Sequence, residues 1–261
     1  MSETVNEILS HREGGVLTLT FNRVDKKNAI TAAMYQALAD ALNAAASDDA
    51  VRVAVIQGSE GVFTAGNDLK DFLSNQKELG TDEPASVEQF IYALRDFPKP
   101  LVAAVAGPAV GIGVTMLLHC DLVYAGDNAA FSLPFVNLGL CPEAGASLLL
   151  PLQVGYLRAS EKLLMGEAFY AEEALEMGLI NRILPPHEVN GYAQAQAVKL
   201  AAKPAGALRA SKALLKAPQK AALGGVLKSE FQAFGALLQG PAAKEAIQAV
   251  MEKRRPDFSG M

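Results

Sequence analysis

Cysteine and histidine are scarce in this sequence. Its 261 residues include two cysteines, Cys120 and Cys141, which give neither a disulfide framework nor the paired spacing of a metal site. The three histidines, His11, His119 and His187, are scattered along the chain. We therefore expect no metal site and a protein that works in a reducing compartment.

Positive charge and membrane-spanning runs are also in short supply. The formal net charge is −5, and the Lys and Arg residues form no stripe, which argues against a nucleic-acid partner. Leu101–Leu118 carries no charge, but glycines and a proline between residues 107 and 113 interrupt it, which favours a buried strand, a turn and a helix start. Residues 1–8 lack the apolar core of a signal peptide. These absences predict a cytoplasmic protein without a membrane segment.

The sequence does contain the hydrophobic content of a globular protein, 51%, arranged with strand patterns early in the chain. Gly15–Phe21 alternates in the manner of a strand, and Thr31 is typical of the N-cap of a helix that continues to Ala46. Val51–Gln57 and Leu101–Ala106 are predicted to be two further strands. This alternation predicts an α/β fold for the first part of the chain.

The last part of the chain is rich in Ala, Leu and Lys and lacks strand patterns. From Val189 onward the composition predicts helices, with breaks near Pro204, Pro218 and Pro241. We therefore divide the chain into a core over residues 1–188 and a helical region over residues 189–261.

Two loops can each point main-chain N–H groups into a cleft. Ala65–Leu69 follows a strand, and Gly66 within it permits a positive φ, although a plain surface loop is the simpler interpretation. Gly107–Gly113 joins a strand to a helix, but Met116 replaces the third glycine of a dinucleotide-binding fingerprint. A glycine-rich turn at a helix start suits a developing negative charge, and close strand–helix packing is its alternative.

A third segment, Leu140–Ser147, holds one carboxylate among small and apolar residues. Burial raises the pKa of a carboxyl group and makes it a usable base near neutral pH, which favours Glu143 as an acid/base. A glutamate that merely sits favourably at a helix start is the alternative.

Taken together and in this order, the three segments resemble the crotonase superfamily, also called the enoyl-CoA hydratase/isomerase family. The resemblance covers the chain from about Gly15 to Phe258, and its firmest parts are FTAGNDL at 63–69 and PLVAAVAGPAVGIGVTMLLHCDLVYAG at 100–126. It implies a crotonase-like spiral of ββα units. It also implies that the helices of residues 189–261 build homotrimers, commonly paired into hexamers, and complete the CoA site.

The resemblance implies an acyl-CoA substrate whose thioester oxygen lies between two main-chain N–H groups. By position in the family motifs, these donors belong to Asn67 and Ile112. Together they would hold the enolate form of the substrate. Because coenzyme A is part of the substrate, no separate cofactor is expected.

The resemblance also favours one branch of the family. Its hydratases use two glutamates, at positions that Thr115 and Phe135 occupy here, and neither of these side chains is a carboxylate. Glu143 stands where the Δ3,Δ2-enoyl-CoA isomerases have their single catalytic glutamate. We therefore expect an enzyme of fatty acid β-oxidation that moves a double bond from position 3 to position 2, with Glu143 as base and acid.

Further contacts to the substrate follow from the same resemblance, and two of them involve a neighbouring subunit. Lys253 and Phe258 are expected to approach the nucleotide from that subunit, although an ordinary solvated surface is the alternative for the cations. The substrate-binding residues expected within the chain are Lys26, Ala65, Gly66, Asp68, Leu69, Gly111, Thr115, Phe135 and Leu138.

Three other functions stay open on the sequence alone. One is a ring-modifying isomerase of phenylacetate-type degradation, although such relatives typically place an aspartate near the position of Glu143. A hydratase is the second, against which Thr115 and Phe135 argue. A catalytically silent acyl-CoA binder is the third.

Overall fold

Strands and helices alternate through the first two thirds of the computed structural model, which describes residues 6–59, 61–74, 79 and 83–261. The strands are β1 (Ile8–Glu13), β2 (Val16–Phe21), β3 (Val53–Gln57), β4 (Leu101–Val105), β5 (Pro108–Val110), β6 (Leu122–Gly126), β7 (Ala130–Ser132), β8 (Phe169–Tyr170) and β9 (Arg182–Leu184).

The α-helices lie between these strands and continue alone after β9. They are α1 (Ala32–Ser47), α2 (Leu69–Ser74), α3 (Ser86–Asp96), α4 (Ile112–Thr115), α5 (Ala146–Val154), α6 (Tyr156–Met165), α7 (Ala171–Glu176), α8 (Val189–Ala201), α9 (Ala205–Leu238) and α10 (Pro241–Glu252). Short 3-10 turns cover Val24–Lys26, Met116–His119, Val136–Leu138 and Pro186–Glu188.

Two sheets organise the core. The larger has the order β1-β2-β3-β4-β6-β9, in which β1 and β2 are antiparallel and every later pair is parallel. The smaller has the order β5-β7-β8. The predicted strands at Gly15–Phe21, Val51–Gln57 and Leu101–Ala106 are confirmed within two residues of their ends, and the α/β class is confirmed with them.

Both faces of the larger sheet are covered, which explains why its strands are almost continuously apolar. In β3, Ala54 and Ile56 face the main core with helices α1 and α3, whereas Val53 and Val55 face α8. Thr31 caps α1 by accepting a 3.3 Å hydrogen bond from the N–H of residue 34, so the predicted helix start is confirmed.

The region after Val189 is helical, as predicted, but its breaks differ from the prediction. The helices end near Pro204 and Pro241, whereas α9 continues through Pro218 without interruption. Pro218 is exposed and removes only one main-chain hydrogen bond, while Lys212 and Glu230 anchor the helix on either side of it. None of the helices in the described ranges combines the length and apolar character that a membrane crossing requires.

The sequence patterns missed three kinds of element. Strand β1 is an edge strand whose residues after Ile8 are exposed, so it carries little hydrophobic alternation. Strand β5 lies inside the segment predicted as a plain turn, and α5 contains Pro151. The segment Asp71–Ala85, expected to be irregular, begins inside α2 and then lies mostly outside the described residues.

Candidate active site

A cavity of about 820 Å³ lies where the two loops, the 3-10 turn before Glu143 and the C-terminal helices meet. Ten of the residues predicted for the site line it, namely Lys26, Ala65, Gly66, Asn67, Asp68, Leu69, Gly111, Ile112, Phe135 and Leu138. Thr115 and Glu143 are not among the described lining residues, and both are buried. Thr115 lies in α4, the helix that begins at Ile112, and is hydrogen-bonded to Glu143. The structure therefore brings the two predicted loops to one cavity and connects the buried carboxylate to α4, the helix that carries Ile112.

Main-chain hydrogen bonds hold the two loops side by side. The N–H of Thr64 donates to the carbonyl of Pro108 at 3.0 Å, and the N–H of Val110 donates to the carbonyl of Thr64 at 3.1 Å. Gly66 has φ +86°, and a Cβ at this position would lie 2.9 Å from the carbonyl oxygen of Val110. A glycine is required there both by the backbone angle and by the close approach of the second loop.

The main-chain N–H groups of Asn67 and Ile112 at this junction have no acceptor among the described residues. Ile112 is the first residue of α4. By contrast, the N–H groups of Asp68 and Gly111 each donate to a carbonyl at 2.9 Å. Each loop thus offers at least one donor without a described acceptor, and the one from Ile112 stands at a helix start, where an anion is favoured.

Glu143 is the buried carboxylate of the site, with 7% of its surface exposed. Its pKa is raised to about 8, chiefly by burial; the hydrogen bond from Thr115 opposes this rise, and the charge of Glu230 adds to it. The Thr115 hydroxyl donates to Oε1 at 2.5 Å. No described residue donates to Oε2. One oxygen is therefore held by Thr115, and the other has no donor among the described residues.

Glu230, on α9, fixes the backbone that follows Glu143. Its carboxylate accepts hydrogen bonds from the N–H of Gly145 at 2.6 Å, from the N–H of Ser147 at 2.9 Å and from the Ser147 hydroxyl at 2.5 Å. Burial raises the pKa of Glu230, and these hydrogen bonds oppose the rise. Sequence reasoning missed this residue, because one glutamate in an Ala-rich helix is typical of a solvated face and Ser147 is 83 residues away.

Asp68 lines the cavity but is engaged in structural bonds. Its Oδ2 lies 2.7 Å from Nη1 of Arg23, and its Oδ1 accepts the main-chain N–H groups of Lys70 and Asp71 at 3.1 Å each, at the start of α2. Burial pushes the pKa of Asp68 upward, but the bond to Arg23 and these N–H groups bring it below its ordinary value. Its expected substrate contact stays a prediction, while its observed partners belong to the protein.

Tyr35 and His119 are two buried groups near the site that sequence reasoning did not place there. The Tyr35 hydroxyl donates to Oδ1 of Asn67. His119 shares a 2.7 Å hydrogen bond with the carbonyl of Ala144, and burial lowers its pKa to about 4, so the ring is neutral at physiological pH. A neutral ring donates to that carbonyl, which stabilises the residue following Glu143.

The residues predicted to meet the nucleotide lie apart from the cavity or at its edge. Lys26 is exposed on the wall. Lys253 follows α10 and Phe258 is 38% exposed, and neither lines the cavity of its own chain. Their approach to a neighbouring subunit remains a prediction. Among the described residues, no group of three or more His, Cys, Asp and Glu side chains is placed to hold a metal ion.

Comparisons with known proteins agree over almost the whole chain. Residues 11–261 match the family model described as enoyl-CoA hydratase/isomerase. The 2,3-dehydroadipyl-CoA hydratase of Escherichia coli (strain K12) is 38% identical over 256 residues, which cover 98% of this chain and 100% of that protein. Enoyl-CoA delta isomerase 2 of Rattus norvegicus is 38% identical over 247 residues, 94% of this chain and 62% of that longer protein.

A solved structure has the same fold. The enoyl-CoA hydratase/isomerase from Pseudoalteromonas atlantica T6c superimposes with a TM-score of 0.92 at 38% identity, and the match covers 97% of this chain and 100% of that one. With its crotonase fold and these two loops, the chain belongs to the enoyl-CoA hydratase/isomerase family.

Proposed function

We propose that this enzyme is a Δ3,Δ2-enoyl-CoA isomerase. The observation that carries the proposal is one buried carboxylate, Glu143, bonded to the helix that begins at Ile112, together with a cavity lined by Asn67 and Ile112, whose N–H groups have no described acceptor. Thr115 and Phe135 occupy the two positions at which the hydratases of this family, by the resemblance described above, have their glutamates. Thr115 is hydrogen-bonded to Glu143, and Phe135 adds apolar surface to the wall.

One carboxylate is sufficient for the proposed reaction. The thioester oxygen accepts hydrogen bonds from the N–H groups of Asn67 and Ile112, which acidifies C2 of the bound 3-enoyl-CoA. Glu143 then takes a proton from C2 through Oε2, the two N–H groups stabilise the dienolate, and the new carboxylic acid returns the proton at C4. Loss of one such donor costs on the order of 3 kcal/mol in comparable sites. A pKa of about 8 makes both forms of Glu143 accessible near neutral pH.

Water addition needs a second group that positions and activates water. The two acids on the described wall are Asp68, bound to Arg23, and Asp71, which accepts the main-chain N–H of Ala32 at 2.7 Å. Both therefore hold the loop and the start of α1. This is the main structural argument for the isomerase over a hydratase, the second candidate, which the E. coli relative represents.

An apolar acyl chain suits the apolar residues of the wall, which include Leu138, Leu140, Phe234, Ile247, Val250 and Met251, the last four from helices α9 and α10. The cations on the described wall come from the segment before α1, with Arg23 and Lys26, and from α2, with Lys70. A dicarboxylic substrate such as dehydroadipyl-CoA has a second carboxylate, and none of the described wall residues of α9 and α10 carries a positive charge. We propose an unsubstituted aliphatic acyl group.

The remaining features follow from this function. Coenzyme A belongs to the substrate, and the proposed proton transfer needs no other cofactor or metal. Lys26, exposed on the wall, is proposed to meet a phosphate of the CoA. We also propose a cytoplasmic homotrimer or hexamer, whose subunits bring Lys253 and Phe258 to the neighbouring nucleotide site.

The proposed function is tested with trans-3-hexenoyl-CoA, by following conjugation of the double bond in the ultraviolet, beside hydration of crotonyl-CoA. Wild type should isomerise the first and hydrate the second slowly. Glu143→Gln preserves size and should lower isomerisation by roughly 100- to 10,000-fold with CoA-ester affinity retained. Comparable hydration by wild type would favour the hydratase, and binding with neither reaction would indicate a silent binder.

A further inference from the structure

Tyr35 connects helix α1 to the loop that carries one of the free N–H groups. The residue is 3% exposed, and its ring packs against Phe90 of α3 with the centroids 5.7 Å apart. Its hydroxyl donates to Oδ1 of Asn67. Because α1 and α3 pack together in the main core, the phenol is held on a rigid element.

The chemistry of this pair decides how the Asn67 carboxamide is turned. Burial raises the pKa of Tyr35 well above its ordinary value, and the charge of Glu143 raises it further, so the phenol keeps its proton and acts as a donor. A donor must face the oxygen of a carboxamide rather than its amino group. Oδ1 of Asn67 therefore faces Tyr35, and Nδ2 lies on the other side of the carboxamide.

Nδ2 of Asn67 has no acceptor among the described residues, and it is not among the buried side-chain atoms that lack a partner. Asn67 is half-buried and lines the cavity. Because Asn67 lines the cavity, we infer that this accessible amino group faces the cavity. The same residue thus offers the cavity one main-chain N–H and one side-chain donor.

We propose that Asn67 donates a side-chain hydrogen bond from Nδ2 to the enolate oxygen of the substrate, and that Tyr35 is the positioning residue that presents it. The proposal deepens the proposed function and rests on it, because the enolate is the intermediate of that reaction. The hydrogen bond strengthens as negative charge develops on the oxygen, so it acts on the transition state more than on the bound substrate.

The test uses three variants of the full-length enzyme, Tyr35→Phe, Asn67→Ala and the double variant. Tyr35→Phe removes only the hydroxyl, and Asn67→Ala removes the carboxamide while the main-chain N–H remains. Tyr124→Phe is the matched control, since Tyr124 is also buried but packs against Tyr192 on the opposite face of the sheet. Thermal unfolding of each variant shows whether it is folded.

Two measurements distinguish a positioning role of Tyr35 from a purely structural one. The first is steady-state kinetics with trans-3-hexenoyl-CoA, in which each single substitution should lower kcat by roughly ten- to hundredfold and change KM by less than about threefold. The second is the ultraviolet absorbance of bound acetoacetyl-CoA as its enolate, whose fraction should fall in both single variants. The double variant should be no worse than the poorer single variant, because both changes remove one shared interaction.

Wild-type kcat and enolate fraction in folded Tyr35→Phe would overturn the role of Tyr35, and the same result in Asn67→Ala would overturn the side-chain bond. Losses that multiply in the double variant would show two independent effects and would also contradict the proposal. If Tyr35→Phe does not fold, Asn67→Ala still decides whether the side chain donates. An inactive wild type would count against the isomerase itself, while the acetoacetyl-CoA absorbance would still test the donor.

Discussion

The hydrogen bond from Thr115 to Glu143 allows us to predict both the direction and the size of a change in the pKa of Glu143. Thr115→Val replaces the hydroxyl by a methyl group at a position that is fully buried. Glu143 loses the hydrogen bond that opposes the rise of its pKa, whereas its burial and the nearby charge of Glu230 remain. We therefore expect its pKa in the variant to lie above the value of about 8 in the wild type.

The size follows from the strength of the lost bond. A hydrogen bond to a charged group contributes about 1.5–3 kcal/mol, and about 1.4 kcal/mol corresponds to a tenfold change in an equilibrium constant. The pair is buried, so solvent screening does not reduce this figure much. The acid limb of kcat/KM should therefore move upward by about one to two pH units, and kcat/KM at pH 7 should fall by roughly ten- to hundredfold.

The assay is the pH dependence of kcat/KM for trans-3-hexenoyl-CoA between pH 5.5 and 10 or so, at constant ionic strength. The proposed base must be ionised in the free enzyme, so kcat/KM should rise with pH through the pKa of Glu143. Thr115→Ser keeps the hydroxyl and is the control that should retain the wild-type limb. A Thr115→Val variant whose limb stays at the wild-type pH would refute the account of this pair.

Three further predictions concern stability and the shape of the site. The pKa of Glu143 is about 8 in the folded protein and 4.5 for the ordinary group, so the wild type loses stability as the pH rises from 4.5 to 8. Glu143→Gln removes this loss, and it should stabilise the protein by up to about 5 kcal/mol above pH 8 and by little at pH 4.5. Urea unfolding at both pH values measures the difference. Equal effects at both pH values would contradict this. Glu230→Ala removes three hydrogen bonds and should cost about 2–4 kcal/mol in urea unfolding and also lower kcat, whereas an unchanged kcat would mean that the loop does not depend on it. Gly66→Ala should destabilise the protein more than Gly14→Ala does, by about 1 kcal/mol or more. Both glycines have positive φ, but only at Gly66 would the added Cβ lie 2.9 Å from a carbonyl oxygen. Equal melting temperatures of the two variants would exclude that clash.

Much of the candidate site could be predicted from the sequence because its parts are local. The turn at Gly66 and the turn at Gly111 each depend on a glycine with positive φ, and each is visible as a short glycine motif after a strand. The prediction that both turns face one cavity came from the family resemblance and not from either motif alone. The parallel pairing of Thr64 with Ala109 now gives the physical reason for that proximity.

The contacts that could not be predicted join segments far apart in the chain. Tyr35 and Asn67 are separated by 32 residues, and Glu230 and Gly145 by 85 residues. A tyrosine on a helix face predicts core packing, and nothing in its neighbourhood shows where its hydroxyl points. Likewise, Pro218 predicted a helix break, because the local rule does not include the anchors that tertiary packing adds on either side.

The separation between Glu230 and its partners also bears on when the site forms during synthesis. Residues up to Ser147 leave the ribosome long before Glu230 does, at about 5–20 residues per second. Until then the N–H groups of Gly145 and Ser147 lack the carboxylate that holds them in the finished protein. The sheet can assemble early, but the backbone beside Glu143 acquires its final support only after most of α9 has emerged. A nascent chain is therefore expected to form its sheet before its active site is complete.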